Sequence, residues 1–324
     1  APTASGAWPL SSPSSPAPEP VGGPAPWGIT VAGSLGYDDL TTPAGSRRRV
    51  PGGSALYFTL AAAPLAPVRV VGAVGGDGAS LIALLQEAGA ESGAVRELPG
   101  LSYRWEAVHQ RNRAAPGRAE QHFGVYRAWV PELPSNVRRS ELVFLGSMAP
   151  AQQLAVLSQT AGHRLVAADT MSDFVSSDRF GLEQVLEGTD LLFVNVPELR
   201  ALHDGSEAAP RQLAREGLER WSLRALVLKL GERGSVVVHR DGISEVAAAP
   251  GVRVVDPTGA GDALAGRMLG WLARRRRDDL GELVAAAAEG AQAAGWAISN
   301  FGTEGLRQHA REVAVSDPRP AAPP

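Results

Sequence analysis

Short runs of apolar, β-branched residues alternate with helical segments along most of this chain. The runs are GITVAG, VRVVGAVG, ELVFLG, RLVAAD, LLFVNV and ALVLKLG, at residues 28–33, 68–75, 141–146, 164–169, 191–196 and 225–231. Apolar residues occupy successive positions in each run, which is typical of strands buried on both faces of a parallel sheet. The sequence therefore predicts an α/β fold with a doubly wound, mostly parallel sheet covered by helices on both faces.

Residues 101–130 interrupt this alternation. Two runs with period-two patterning, SYRWEAVH and EQHFGVYRAWV, flank a polar, turn-rich stretch. This pattern predicts an antiparallel hairpin rather than a strand–helix unit. We expect a small β lid within about residues 99–134, with an edge hairpin of the main sheet as the alternative.

The composition excludes several classes of partner. The chain has 31 basic and 34 acidic residues, so no basic field favours nucleic acid or an anionic membrane. It has no cysteine, and no apolar run approaches the roughly 20 residues of a membrane span. Residues 1–27 and 316–324 are rich in Pro, Ser and Ala and are predicted to be disordered tails, not a signal peptide. We expect a cytoplasmic domain over residues 28–315 that binds small molecules.

The segment DPTGAGDALAG, residues 256–266, places small residues where a helix is expected to begin. A strand at 252–255 should precede it, and Leu264, Met268 and Leu272 recur at the spacing of a buried helix face. The unpaired N–H groups at a helix N-terminus carry partial positive charge and form a ready anion site.

Asp262 directly follows the small residues Gly259, Ala260 and Gly261. A carboxylate beside a bound phosphate is suited to removing the proton of an attacking hydroxyl. Helix capping by Asp262 is the alternative. A P-loop is excluded because Lys229 is the only lysine and no GxxxxGK[ST] surrounds it.

Five segments, in order, resemble those of the ribokinase-like (PfkB-type) carbohydrate kinases, over residues 28–305. They are GSLGYDD, PGGSALYFTLAA, NVPE, KLGERG and DPTGAGDALAG, at residues 33–39, 51–62, 195–198, 229–234 and 256–266. The resemblance implies a ribokinase-like fold and ATP-dependent phosphorylation of a hydroxyl on a sugar or sugar-like small molecule.

The resemblance also implies a role for each motif residue. Asp262 would be the general base, and the N–H groups of Gly259, Ala260 and Gly261 would form the anion hole. On the acceptor side, Asp38, or its neighbour Asp39, would bind substrate hydroxyls. Gly52 and Gly53 would bring the backbone close to the substrate. The nucleotide side would use the following residues: Lys229, Gly231, Gly234 and Thr258.

Metal binding is implied for three further positions. Asn195 and Glu198 would hold Mg²⁺ through its waters, with Asp169 as a nearby acid. Asp256 lies in the loop that binds a monovalent cation in the resembled family, so K⁺ is a further expected cofactor. The alternatives are structural: a helix-start Asn with an exposed Glu, and a strand-end cap at Asp169.

Two departures bear on the substrate. Tyr57 and Gly36 stand where many members of the resembled family carry substrate-contacting asparagines, which argues against ribose itself. Tyr103 and Trp105 could stack on a substrate ring or pack across strands. A nucleoside (adenosine-type) kinase is the first alternative, and a catalytically idle sugar- or nucleotide-binding homologue is the second. A homodimer through the lid is expected, and the six histidines are predicted to be surface or structural.

Overall fold

The computed structural model describes residues 27–110 and 117–316. The predicted tails lie outside these ranges except for their inner ends, since Trp27 begins the first strand and Ser316 ends the last helix. The turn between the two runs of the predicted hairpin lies partly outside them as well.

Thirteen strands and ten α-helices form the described part of the chain. The strands are β1 (Trp27–Ala32), β2 (Gly36–Thr42), β3 (Gly45–Gly52), β4 (Val68–Gly75), β5 (Glu91–Leu98), β6 (Tyr103–Val108), β7 (Arg118–His122), β8 (Ser140–Leu145), β9 (Leu165–Asp169), β10 (Leu191–Asn195), β11 (Ala225–Lys229), β12 (Ser235–His239) and β13 (Gly242–Val246). The helices are α1 (Ser54–Ala62), α2 (Ala79–Glu87), α3 (Pro150–Leu157), α4 (Ser172–Ser177), α5 (Arg179–Glu187), α6 (Val196–Leu202), α7 (Pro210–Arg220), α8 (Ala260–Arg275), α9 (Leu280–Ile298) and α10 (Glu304–Ser316). Within the described ranges, none of these helices combines the length and the apolar character needed to cross a membrane.

The main sheet has nine strands in the order β13-β12-β11-β10-β9-β8-β1-β4-β5. The pairs from β11 through β5 are parallel, and only β12 and β13 pair in antiparallel fashion at one edge. The predicted mostly parallel sheet is therefore confirmed.

Helices cover both faces of this sheet. Phe144 of β8 and Phe193 of β10 are fully buried on the face of α1, α8 and α9, where the Phe144 ring stacks on Phe58 with centroids 4.4 Å apart. The alternate residues Val143 and Leu192 pack against helices on the opposite face. Both sides of each central strand are buried, which explains the continuous apolar runs in the sequence.

A second sheet, here called the lid sheet, contains four strands in the order β3-β2-β6-β7. The expected antiparallel pairing of β6 with β7 is present. The sequence pattern missed β2 and β3, and β2 pairs with β6 in parallel. The second run was also predicted too long: β7 ends at His122, and a 3-10 turn follows at Gly124–Arg127, where Gly124 has φ of +52°.

The strand predicted at residues 252–255 is wrong. This segment forms an irregular loop between β13 and α8, and the side chain of Val254 is 57% exposed. The N–H of Val255 donates to the carbonyl of Ile298 at 2.8 Å, at the end of α9. A backbone hydrogen bond thus ties the loop to the end of α9, and the hydrophobic pattern of the segment does not distinguish such a loop from an edge strand. The helix predicted after the loop does begin at Ala260.

The close packing of α1 on α8 yields a test of the fold. A Cβ at Gly266 of α8 would lie 2.2 Å from the carbonyl oxygen of Phe58 in α1. We expect Gly266→Ala to lower the free energy of unfolding by about 1–3 kcal/mol, because overpacking forces the helices apart. Gly281→Ala in the first turn of α9 is the matched control, since its nearest contact would be an ordinary 3.4 Å. Equal urea midpoints for the two variants would contradict this packing.

Candidate active site

A cavity of about 250 Å³ lies between the lid sheet and the C-terminal ends of strands in the main sheet. This edge of a parallel sheet is where α/β proteins bind ligands. The cavity is lined by Ser34, Asp38, Gly53, Ser54, Tyr57, Tyr103, Trp105, His109, Ser147, Asp169, Thr170, Met171, Lys229, Pro257, Thr258, Gly259, Gly261 and Asp262.

The N-terminus of α8 opens into this cavity. Gly259 is the N-cap residue with φ of +76°, and a Cβ there would lie 2.3 Å from the ring of Tyr57, so only glycine fits. The first intrahelical bond runs from Ala263 N–H to the Gly259 carbonyl at 2.9 Å. The preceding amides of the helix lack intrahelical acceptors and are available to an anion.

Asp262 stands beside these amides on the wall of the cavity. Burial raises the pKa of its carboxyl to about 7, with a further increase from the negative charge of Asp169 and a smaller, opposing effect of Lys229. The N-cap position of α8 belongs to Gly259 and involves no side-chain hydrogen bond. The carboxylate also accepts a hydrogen bond from its own backbone amide, which lowers the pKa, so a role in the first turn of α8 stays the alternative to that of a base.

Asp169 and Lys229 form a buried ion pair in the same wall. The Lys229 ammonium donates to both carboxylate oxygens of Asp169, at 2.9 and 2.7 Å. Burial lowers the pKa of Lys229, but the charges of Asp169 and Glu198 outweigh this effect and raise it above its ordinary value. A Cβ at Gly261 would lie 3.3 Å from the Lys229 ammonium, so a cation stands directly beside the anion-binding amides.

The pair Asn195 and Glu198 begins α6 as a capping box. The Asn195 side chain accepts from Glu198 N–H, and the Glu198 carboxylate accepts from Asn195 N–H, both at 2.9 Å. The structural alternative is right that Asn195 begins the helix and wrong only about the exposure of Glu198, which is 6% exposed and has a pKa raised by burial. Neither residue lines the cavity, but Glu198 lies near enough to Lys229 and Asp169 to interact with their charges.

Asp38 of β2 lines the cavity from the lid sheet. It is 2% exposed, accepts a hydrogen bond from the Tyr57 hydroxyl at 3.3 Å, and has a pKa raised by burial and by Asp256. A Cβ at Gly52 would lie 2.1 Å from its carboxylate, so Gly52 provides the room for this side chain. Asp39 points to the outer face of the lid sheet, where Arg104 and the Arg49 amide bind it. Of the two aspartates, only Asp38 lines the cavity.

The remaining predicted residues divide between the cavity and its surroundings. Gly53 and Thr258 line it, whereas Gly231 and Gly234 form the tight turn between β11 and β12. Asp256 is fully buried and accepts from the amides of Thr258 and Gly302 at 3.1 and 3.0 Å. It therefore fixes the loop before α8 to the loop after α9.

Sequence reasoning missed His109 in this cavity. The histidine was predicted to be surface or structural, yet it follows β6, is 7% exposed and lies 3.2 Å from the Thr258 hydroxyl. Tyr103 and Trp105 precede it on the same inward face of β6. The period-two pattern of β6 predicts that these residues share one face of the strand. It does not predict that this face contacts the loop before α8.

Three comparisons agree on what this chain is similar to. A cytidine kinase from Thermococcus kodakarensis is 25% identical over 253 residues, which cover 76% of this chain and 89% of that protein. The solved adenosine kinase from Sinorhizobium meliloti has a TM-score of 0.74 at 19% identity, over 90% of this chain and 100% of that one. A Burkholderia thailandensis nucleoside kinase, solved in complex with ADP-inosine, has a TM-score of 0.70 at 20% identity, over 85% and 90% of the two chains.

The match to a family model extends over nearly the whole described chain. The model describes the pfkB family of carbohydrate kinases and matches residues 29–309. It includes the strands, the lid sheet and all five motifs on which the resemblance was based. The chain belongs to the pfkB carbohydrate kinase family.

Proposed function

We propose that this protein transfers the terminal phosphoryl group of ATP to a hydroxyl of a nucleoside, with Asp262 as the general base. The observation that carries the proposal is the arrangement of one cavity. Asp38 lies on its acceptor side, and Asp262 lies beside the free amides of α8 and the Lys229 ammonium. An acceptor bound at Asp38 would thus be held against a phosphoryl group bound at the helix start.

The chemistry follows from the charges around Asp262. The acceptor hydroxyl attacks phosphorus, its proton passes to the Asp262 carboxylate, and the bond from phosphorus to the ADP oxygen breaks. A carboxyl with a pKa near 7 is ionised in a part of the molecules at neutral pH. Once protonated, it binds the proton more tightly than an ordinary aspartate does. The amides of Gly259 to Gly261 and the Lys229 ammonium would stabilise the negative charge on the transferring group.

The nucleoside assignment rests on the acceptor side of the cavity and on the relatives. Tyr103 and Trp105 of the lid sheet line the same cavity as Asp38, which suits an acceptor that carries a flat ring as well as hydroxyls. The curated relative reported above is named a cytidine kinase, whereas the solved neighbours, at 21% identity or less, include nucleoside kinases and sugar kinases alike. These observations favour the nucleoside, which the sequence alone ranked after a free sugar.

A free sugar is the second candidate acceptor. Tyr57 is 1% exposed and its hydroxyl reaches Asp38, so its ring occupies space beside the residue expected to bind hydroxyls. A free sugar, which is smaller than a nucleoside, would need less space beside Asp38.

Magnesium fits the oxygen donors near the nucleotide side. Glu198 and Asp169 are buried carboxylates near Lys229, and Mg²⁺ prefers oxygen ligands while keeping several waters. In residues 27–110 and 117–316 no three Asp, Glu or His side chains converge to hold a metal directly, so the ion would be held through waters and phosphates. Bound there, it would neutralise charge on the phosphates. Asp256 is the proposed residue for K⁺.

An ADP-release assay tests the function. We expect Mg²⁺-dependent ADP release with at least one member of a panel of cytidine, adenosine, inosine, guanosine, ribose and fructose, and the highest kcat/KM with a nucleoside. Phosphorylation of sugars alone would select the second candidate. Silence across the panel, with ATP bound, would indicate an idle homologue.

Asp262→Asn tests the general base. The change keeps the size of the side chain but removes its ability to take a proton, so kcat should fall by about 10²- to 10⁴-fold with little change in ATP affinity. Asp241→Asn, at a position 63% exposed near the β12–β13 turn, is the matched control. A kcat for Asp262→Asn within about threefold of the control would remove the residue from catalysis.

Glu198→Gln tests the magnesium site. Glutamine keeps an oxygen that can accept from Asn195 N–H, so the capping box should survive while the negative charge is lost. The Mg²⁺ concentration for half-maximal rate should rise by about tenfold or more. Glu282→Gln makes the same change in the first turn of α9 and should leave the titration unaltered. An unchanged titration for Glu198→Gln would exclude this residue from the metal site.

A further inference from the structure

His109 connects the lid sheet to the loop before α8. Its backbone N–H donates to the Thr41 carbonyl at 2.8 Å, and this bond continues the pairing of β6 with β2. Its ring is 6% exposed, and its Nε2 lies 3.2 Å from the Thr258 hydroxyl and 4.0 Å from the Asp256 carboxylate. One side chain of the lid thus touches the residue that directly precedes Gly259.

The surroundings of the ring determine where its proton lies. A neutral imidazole carries one ring proton, on either Nδ1 or Nε2. Its Nδ1 is buried with no hydrogen-bond partner in the described part of the chain, whereas Nε2 faces the oxygens of Thr258 and Asp256. The proton therefore belongs on Nε2, which donates to the Thr258 hydroxyl oxygen. The hydroxyl proton of Thr258 is then free to point to another acceptor.

Thr258 is held at a position that matters for the anion site. Its N–H donates to Asp256 at 3.1 Å, and the next residue, Gly259, adopts the left-handed conformation that opens α8 toward the cavity. Thr258 itself lines that cavity. A hydroxyl proton on Thr258 that turns away from His109 can reach an anion bound in the same cavity.

Other side-chain contacts also join the lid sheet to the rest of the described structure. The Gln121 amide donates to Asp173 at 2.6 Å, and the Arg47 guanidinium stacks over the Phe301 ring at 4.9 Å. The Tyr37 hydroxyl also donates to the Asp77 carbonyl at 2.7 Å, and the Tyr57 hydroxyl of α1 donates to Asp38. Among these lid contacts, His109 is the one whose partner, Thr258, belongs to the loop before α8.

We propose that His109 is a positioning residue that couples closure of the lid to nucleotide binding, by directing the Thr258 hydroxyl toward the bound phosphates. The inference rests on the proposed function in one respect, that the loop Thr258 to Gly261 binds nucleotide phosphate. Coupling of two binding equilibria is reciprocal, so nucleotide must favour the closed lid by the factor by which the closed lid favours nucleotide.

His109→Met tests the coupling, since methionine fills similar space without a donor. We expect MgADP to bind about 3- to 10-fold more weakly, the effect of one lost hydrogen bond. We also expect that MgADP slows amide exchange at residues 103–109 in the wild type but not in this variant. His109→Gln can place a donor near the Nε2 position and should restore both properties. His122→Met is the matched control, because His122 lies on the outer face of β7 and contacts Glu106 and Glu120.

Thr258→Val completes a double-mutant cycle. If His109 acts through the hydroxyl, adding His109→Met to Thr258→Val should weaken MgADP binding no further. Additive losses, or a His109→Met variant with wild-type MgADP affinity and lid protection, would overturn the inference. The outcome is independent of the acceptor: coupling without any phosphotransfer would contradict the proposed function alone. A wild-type protein that binds no MgADP would overturn both.

Discussion

The buried ion pair between Lys229 and Asp169 is the interaction on which the candidate site depends. The only lysine of the chain stands among three carboxylates, those of Asp169, Glu198 and Asp262. Removing such charges from water costs free energy, which the two hydrogen bonds of the pair offset. Burial raises the pKa of Asp262 to about 7, the charge of Asp169 raises it further, and Lys229, which is paired with Asp169, opposes this only in part. The same lysine also stands beside Gly261, next to the amides that are proposed to bind phosphate.

The topology of the main sheet brings these groups together. Asp169, Asn195 and Lys229 are the last residues of β9, β10 and β11, which are parallel neighbours in the sheet, and Asn195 is directly paired with Lys229. The carboxyl ends of such strands share one edge, so residues 60 positions apart in sequence meet as an ion pair. The N-terminus of helix α8 contributes Gly261 and Asp262 to the same cavity, and the lid sheet contributes Asp38. The strand order of the main sheet thus brings the charged side chains of Asp169 and Lys229 together at one edge.

Sequence patterns predicted the parts of this arrangement that have a local signature. Strands buried on both faces give continuous apolar runs, and the small residues before Asp262 mark a helix start, so both were located correctly. Strands β2 and β3 pair with each other across a short turn, and they were missed because their charged residues, two aspartates and three arginines, leave no apolar alternation. Whether Asp38 or Asp39 faces the cavity depends on strand register, and no local signal places His109 against Thr258. The segment at 252–255 shows the opposite failure, since its apolar residues predicted a strand where the backbone forms a loop that is bonded to the end of α9.

The central claim is that burial among like charges makes Asp262 a base near neutral pH. NMR titration of protein labelled with ¹³C at the aspartate carboxyls, with the Asp262 signal assigned by its loss in Asp262→Asn, measures this directly. We expect that signal to titrate with a pKa of about 7. Lys229→Met should raise this pKa because a cation is removed, and Asp169→Asn should lower it because a like charge is removed. An Asp262 signal that titrates near the ordinary aspartate value of about 4, and that neither variant moves, would contradict the account.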